Sequence, residues 1–111
     1  MTDNKMELVR GDTKNFYVVV KDQDGNIFDL NGYTMTFTAR SSYSSDEIAI
    51  TATATISSPS SGRGDFELTT DDTDILEGIY KYDVQIDGGG KRYTVVRNQE
   101  LEVTPGVTQN P

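Results

Sequence analysis

The chain of 111 residues contains no cysteine, no histidine and no tryptophan, and only three prolines. Without cysteine there is no disulfide or thiolate metal clip, so the fold rests on a hydrophobic core, and the redox compartment stays open. Without histidine no side chain has an ordinary pKa near neutrality, and no thiol is present as a nucleophile. Catalysis is left to serines and carboxylates. The missing tryptophan also weakens a carbohydrate platform. Basic residues are scarce as well: ten against eighteen acidic ones, for a net charge of −8. Nucleic acid and anionic membranes both need a cationic surface, so neither is an expected partner. The negative balance instead suits solubility. No apolar run is long enough to span a bilayer. Met1-Thr2-Asp3-Asn4-Lys5 has no apolar segment behind its lysine, so no Sec-type signal peptide is expected.

What is present is alternation with a period of two. In Tyr33-Thr34-Met35-Thr36-Phe37-Thr38-Ala39-Arg40 the odd positions are apolar and the even ones can face water. Side chains on a pleated strand point to opposite faces in turn, so this is a half-buried β-strand. Met6 to Val9, Thr13 to Lys21, Ile27 to Leu30, Ile48 to Ile56, Asp65 to Thr70, Tyr80 to Ile86, Lys91 to Val96 and Gln99 to Val103 read as further strands. Tyr17 and Val19 oppose Phe16, Val18 and Val20, which suggests a strand covered on both sides. Ile48, Ile50, Ala52, Ala54 and Ile56 are expected to face inward together. Asp71 to Leu76 suits one helical turn with Leu76 folded back on the core. Ser57 to Gly64 is expected to be the longest structureless loop.

Turn signals spaced about eight to twelve residues apart predict an all-β, antiparallel sandwich of about seven to nine short strands. The length suits one domain, expected over residues 1–103, with 104–111 as a C-terminal tail. Phe16, Met35, Phe37, Phe66, Leu68, Tyr80, Tyr82 and Val84 form the expected core.

Three motifs invite a chemical reading, and each also has a structural one. Asp71, Asp72 and Asp74 are the densest carboxylates, but Asp and Thr at that point equally cap a helical turn. Asp22-Gln23-Asp24-Gly25 begins like a calcium loop and lacks the later ligands, so a hairpin turn is expected. Arg-Gly-Asp occurs at 10–12 and at 63–65. Both copies precede strands, where Gly allows the turn and Asp opens the strand. The serines cluster in loops, with no Gly-x-Ser-x-Gly or Ser-x-x-Lys pattern. No catalytic residue, cofactor or metal is expected. Tyr17, Tyr43 and Tyr93 remain as surface aromatics able to anchor a partner. The strands Met6 to Val9 and Gln99 to Val103 are expected to be sheet edges, with Val103, Thr104 and Pro105 leading into a tail that reaches a neighbour.

From Arg10 onward the order of motifs is similar to the N-terminal domain of phage baseplate upper proteins and related phage Ig-like modules. Arg10-Gly11-Asp12-Thr13 opens a main strand, followed by Val20-Lys21-Asp22-Gln23-Asp24-Gly25. Asp29-Leu30-Asn31-Gly32-Tyr33-Thr34-Met35-Thr36-Phe37 comes next. Gly62-Arg63-Gly64-Asp65-Phe66, Gly78-Ile79-Tyr80-Lys81-Tyr82-Asp83-Val84-Gln85, Gly89-Gly90-Lys91-Arg92-Tyr93-Thr94 and Leu101-Glu102-Val103-Thr104-Pro105 complete it. The resemblance implies an Ig-like sandwich acting as a non-catalytic, multi-copy or homo-oligomeric virion protein. It would be assembled in the host cytoplasm and docked on other phage tail or baseplate proteins. Baseplate upper proteins continue into further regions whereas this sequence stops after Pro111, so a neck or head-decoration protein is the nearest alternative. A host-surface or saccharide-binding adhesion domain is the alternative of another class.

Overall fold

The computed structural model describes residues 6–41 and 47–105. The described residues form an all-β sandwich of seven strands: β1 (Met6–Val9), β2 (Lys14–Val19), β3 (Thr34–Arg40), β4 (Ile48–Thr53), β5 (Arg63–Leu68), β6 (Gly78–Gly88) and β7 (Lys91–Thr104). A five-stranded sheet in the order β1-β7-β6-β3-β4 faces a two-stranded sheet, β2-β5. Every pairing is antiparallel except β1 with β7, which run parallel from Met6 opposite Leu101 to Val9 opposite Thr104.

The alternation read in Tyr33 to Arg40 is the alternation observed. Met35, Phe37 and Ala39 are fully buried, and the threonines between them line the wetter face. Phe66 and Leu68 on β5, Tyr80, Tyr82, Val84 and Ile86 on β6, and Leu101 and Val103 on β7 meet them to form one core. The two sheets are joined by rings. Phe16 and Phe66, opposite one another on the small sheet, stack with centroids 4.9 Å apart. Phe37 packs its ring against theirs at 5.4 and 6.1 Å and against Tyr82 at 5.2 Å.

Several sequence expectations need correction. Ile27 to Leu30 makes only one bridge, Ile27 opposite Lys21. Its backbone is instead tied across the end of the sandwich, Phe28 N–H to Val20 O and Leu30 N–H to Pro59 O, while Leu30 enters the core. The segment 57–64 is not structureless. Pro59–Ser61 forms a 3₁₀ turn ended by Gly62 in the left-handed region, and the last two residues already belong to β5. The last two expected strands are one, β7. It absorbs the irregularity at Asn98 (φ 50°), whose N–H donates to Asp83 Oδ1 at 2.6 Å. Ile48 is half-exposed because the β3–β4 register shifts at Ala39/Arg40.

The helical turn α1 (Thr70–Thr73) forms where Asp and Thr cluster. Thr69 caps it in a reciprocal capping box with Asp72. Leu76, however, is 72% exposed, and Ile75 packs on the core in its place. Buried Thr73 fastens α1 by donating its hydroxyl to Asp12 O at 2.8 Å. Arg10 clamps the same end through Asp74 (3.1 Å) and Glu77 (2.7 Å), and those bonds raise its pKa above the ordinary value, Glu77 contributing most.

Phe37 joins both sheets, so Phe37→Ala is expected to cost roughly 3–5 kcal/mol. Loss of the Thr69 cap in Thr69→Ala should cost only about 1 kcal/mol. Chemical denaturation of the two variants checks the ranking.

Candidate interaction surface

The sandwich is closed along one side and open along the other. On the closed side Thr55 and Asp65 exchange backbone hydrogen bonds at 2.8 and 3.0 Å, linking the end of β4 to β5. On the open side β2 pairs with β5 alone, and among the described residues nothing pairs with its outer edge. β7 is flanked by β1 only over Leu101–Thr104, so its stretch 91–100 is paired on the β6 side alone. Between these two edges lies a cleft of about 850 Å³ whose lining includes Met6, Lys14, Phe16, Val18, Tyr82 and Val96.

Local sequence explains how apolar side chains come to line part of the cleft. Phe16 and Val18 face inward by strand alternation, yet they stay only half-buried because no strand closes the seam beside them. On β7 the register opposite Val84 and Gln85 slips by one residue, passing from Val96 to Thr94. The extra residue is Val95, and such a bulge places two neighbouring valines, Val95 and Val96, against the cleft.

Tyr17 stands on the ridge of β2, 57% exposed. It borders a second concavity of about 550 Å³ with Asn15, Thr53, Thr55, Asp65 and Glu67. The Arg63 guanidinium lies 4.0 Å above its ring and is held there by Asp65 at 2.9 Å. An exposed cation–π contact of this kind contributes roughly 0.5–1 kcal/mol and presents a flat, polar-rimmed platform.

The other sequence-chosen anchors lie elsewhere. Tyr93 is 43% exposed on β7 and belongs to a ring cluster with Phe28 (6.2 Å) and Tyr33 (6.5 Å), making no ring contact with Tyr17. Val103 is a core residue at 2% exposure, since Leu101–Val103 lies between β1 and β6 and is no sheet edge. Thr104 is the last residue of β7 rather than the first of a tail: it pairs with Val9, and its hydroxyl donates to Leu8 O at 3.2 Å. Pro105 is exposed, and Tyr43 lies outside the described residues.

The motifs with a chemical reading have structural duties. Asp22 Oδ1 accepts the N–H groups of Asp24 and Asn26, closing the turn with the oxygen a cation would need. Asp72 is engaged in the capping box and Asp74 on Arg10. Among the described residues no three His, Cys, Asp or Glu side chains gather in a metal-binding arrangement. Arg63-Gly64-Asp65 is a paired stretch of β5, not a loop, and Gly64 is buried. A Cβ on Gly64 would sit 2.6 Å from Met35 Sδ, so glycine is there for close packing.

Met6 lies on β1, which is a sheet edge as expected; the cleft residues that sequence reasoning missed are Lys14, Val95 and Val96. Only a break in the alternation at Val95-Val96 signalled any of them. No protein-family profile matches the chain, and no curated protein matches it.

Gly64→Ala is expected to cost about 1–3 kcal/mol through overpacking against Met35. Tyr17→Ala, on the surface, should change stability by no more than about 1 kcal/mol. Thermal unfolding of the two variants separates a packing glycine from an accessible platform.

Proposed function

We propose that this chain is a non-catalytic assembly module of a tailed-phage virion, associated with the tail or baseplate, whose sandwich docks on neighbouring virion proteins. The observation that carries the docking role is the open seam. Among the described residues two unpaired strand edges flank a cleft lined by half-buried Phe16 and core residue Tyr82. Such edges pair readily with a further chain, and main-chain hydrogen bonds then supply affinity. The order of motifs from Arg10 to Pro105 supports the phage assignment and an Ig-like version of the sandwich. On this reading the protein is assembled in multiple copies in the host cytoplasm and carried in the particle. A neck or head-decoration position would use the same fold and the same seam.

A saccharide-binding adhesion role is the second reading, and a specific observation favours it. Tyr17, Arg63 and Asp65 form a platform rimmed by Asn15, Glu67 and two threonines, with hydrogen-bonding groups suited to hydroxyls.

Mass spectrometry and electron cryomicroscopy of phage particles from the host carrying this gene test the proposal. The chain is expected in the particle with β2 facing a neighbouring protein. Its absence would overturn the assembly role. Glycan binding lost in Tyr17→Ala would bring the second reading forward.

A further inference from the structure

The closed side of the sandwich carries a free edge of its own. β4 is the last strand of the five-stranded sheet, and over Ile48–Thr53 it pairs with β3 alone among the described residues. No charged residue occurs between Glu47 and Arg63, the longest uncharged run in the chain. β1 carries Glu7 and β2 opens on Lys14, but β4 has neither charge nor proline. Its one guard is the shift of register where Ile48 and Ile50 face Arg40 and Ala39, which leaves Ala49 without an opposite residue. Beyond Ala49 the backbone is regular. Ala54 N–H donates to Met35 O on the β3 side, whereas Thr55 exchanges both its bonds with Asp65 of β5. Alternate residues of a strand turn their peptide groups to opposite sides. Ile50 and Ala52 therefore bond β3, while Thr51 and Thr53 point their N–H and C=O groups outward. The side chains of Thr51 and Thr53 are exposed too, and on the sheet face they stand directly opposite Thr38 and Thr36.

From this we infer that β4 pairs antiparallel with β4 of a second copy about a two-fold axis, so that the two large sheets join into one. The free peptide groups fix the register. Thr51 lies opposite the partner's Thr53, and Thr53 opposite the partner's Thr51, with the axis passing between the two Ala52 residues. All the outward N–H and C=O groups of both threonines are then used. An axis at Thr53 would call on Thr55, which is already bound to Asp65. An axis at Thr51 would call on the irregular Ala49. In the inferred register each row on the sheet face runs Thr38, Thr51, the partner's Thr53, the partner's Thr36. The contact thus repeats the threonine pairs already present between β3 and β4, and such cross-strand pairs are favourable. On the inner face only the small Ala52 side chains meet at the axis. Half-exposed Ile48 comes to lie beside the partner's Thr55, which shields it. No like charges on β4 oppose the pairing, and an edge without charge has nothing with which to select a charged strand of another protein.

This contact goes beyond the docking reading and does not rest on it, because it leaves the open seam free and is tested on the isolated chain. The full chain is followed by sedimentation velocity across a range of concentrations, and by amide hydrogen exchange at both ends of that range. A reversible dimer is expected. At high concentration exchange at Thr51 and Thr53 should slow about fivefold or more, while Asn15, Tyr17 and Val19 on β2 stay unchanged. Two double variants test the register: Thr51→Lys with Thr53→Lys, and Thr51→Glu with Thr53→Glu. Each places like charges opposite one another across the axis and should weaken dimerisation about tenfold or more, with the amide spectrum otherwise native. An equimolar mixture of the two should restore association as a mixed dimer, which damage to the strand itself would not allow. A chain that stays monomeric at millimolar concentration, a dimer that the variants do not weaken, a mixture that fails to associate, or protection on β2 instead of β4 would overturn the inference. A monomer whose Thr51 and Thr53 amides become protected only in the native assembly would overturn it too, and would make another protein the occupant.

Discussion

A two-stranded sheet does not stand alone in water, so β2 and β5 depend on being held against the larger sheet. The rings of Phe16, Phe66, Phe37 and Tyr82 provide that hold. Phe16 and Phe66 pair across the small sheet, Phe37 inserts from β3, and Tyr82 supports Phe37 from β6. Aromatic pairs contribute about 0.5–1.5 kcal/mol each beyond the area they bury. The same cluster forms the floor of the cleft, since Phe16 and Tyr82 both line it. The contact that fastens the small sheet is therefore also what an incoming strand would touch.

Closure on one side only follows from the connections. β4 runs on through the Thr55–Asp65 bridge toward β5, so that side is sealed by backbone hydrogen bonds within one chain. On the other side β1 and β2 are joined through Arg10 to Thr13, but β1 turns to pair in parallel with the far end of β7. Thr73 and Arg10 fix that turn against α1 and its flanking acids. The departure of β1 leaves both β2 and the first part of β7 without an outer neighbour among the described residues. An edge left unpaired in a stable domain needs a guard or a partner.

The strands and their faces were legible because alternation is a local signal. Met35, Phe37, Phe66, Leu68 and Val84 sit in the core as their spacing requires. Legibility ended where a residue's role depends on which strand lies beside it. Val103 reads as the last residue of an edge strand, Gln99 to Val103, yet β1 flanks it and buries it. Ile48 fits the inward pattern of its strand, but a register shift turns it out. Phe16 was readable as apolar-inward, while its incomplete cover depends on which strand lies beside β2, and among the described residues none does. Of the aromatic anchors, Tyr17 was readable as outward-facing; its partner Arg63 lies on another strand and left no local trace.

The central claim, that the β2 edge and its cleft are where a partner docks, is tested most directly by amide hydrogen exchange of the chain alone and in its native assembly. Slower exchange on assembly at Lys14–Val19 and at Val95 and Val96 is the predicted result. Unchanged exchange at those amides, with new protection confined to the far face of the sandwich or to the segment after Thr104, would contradict it.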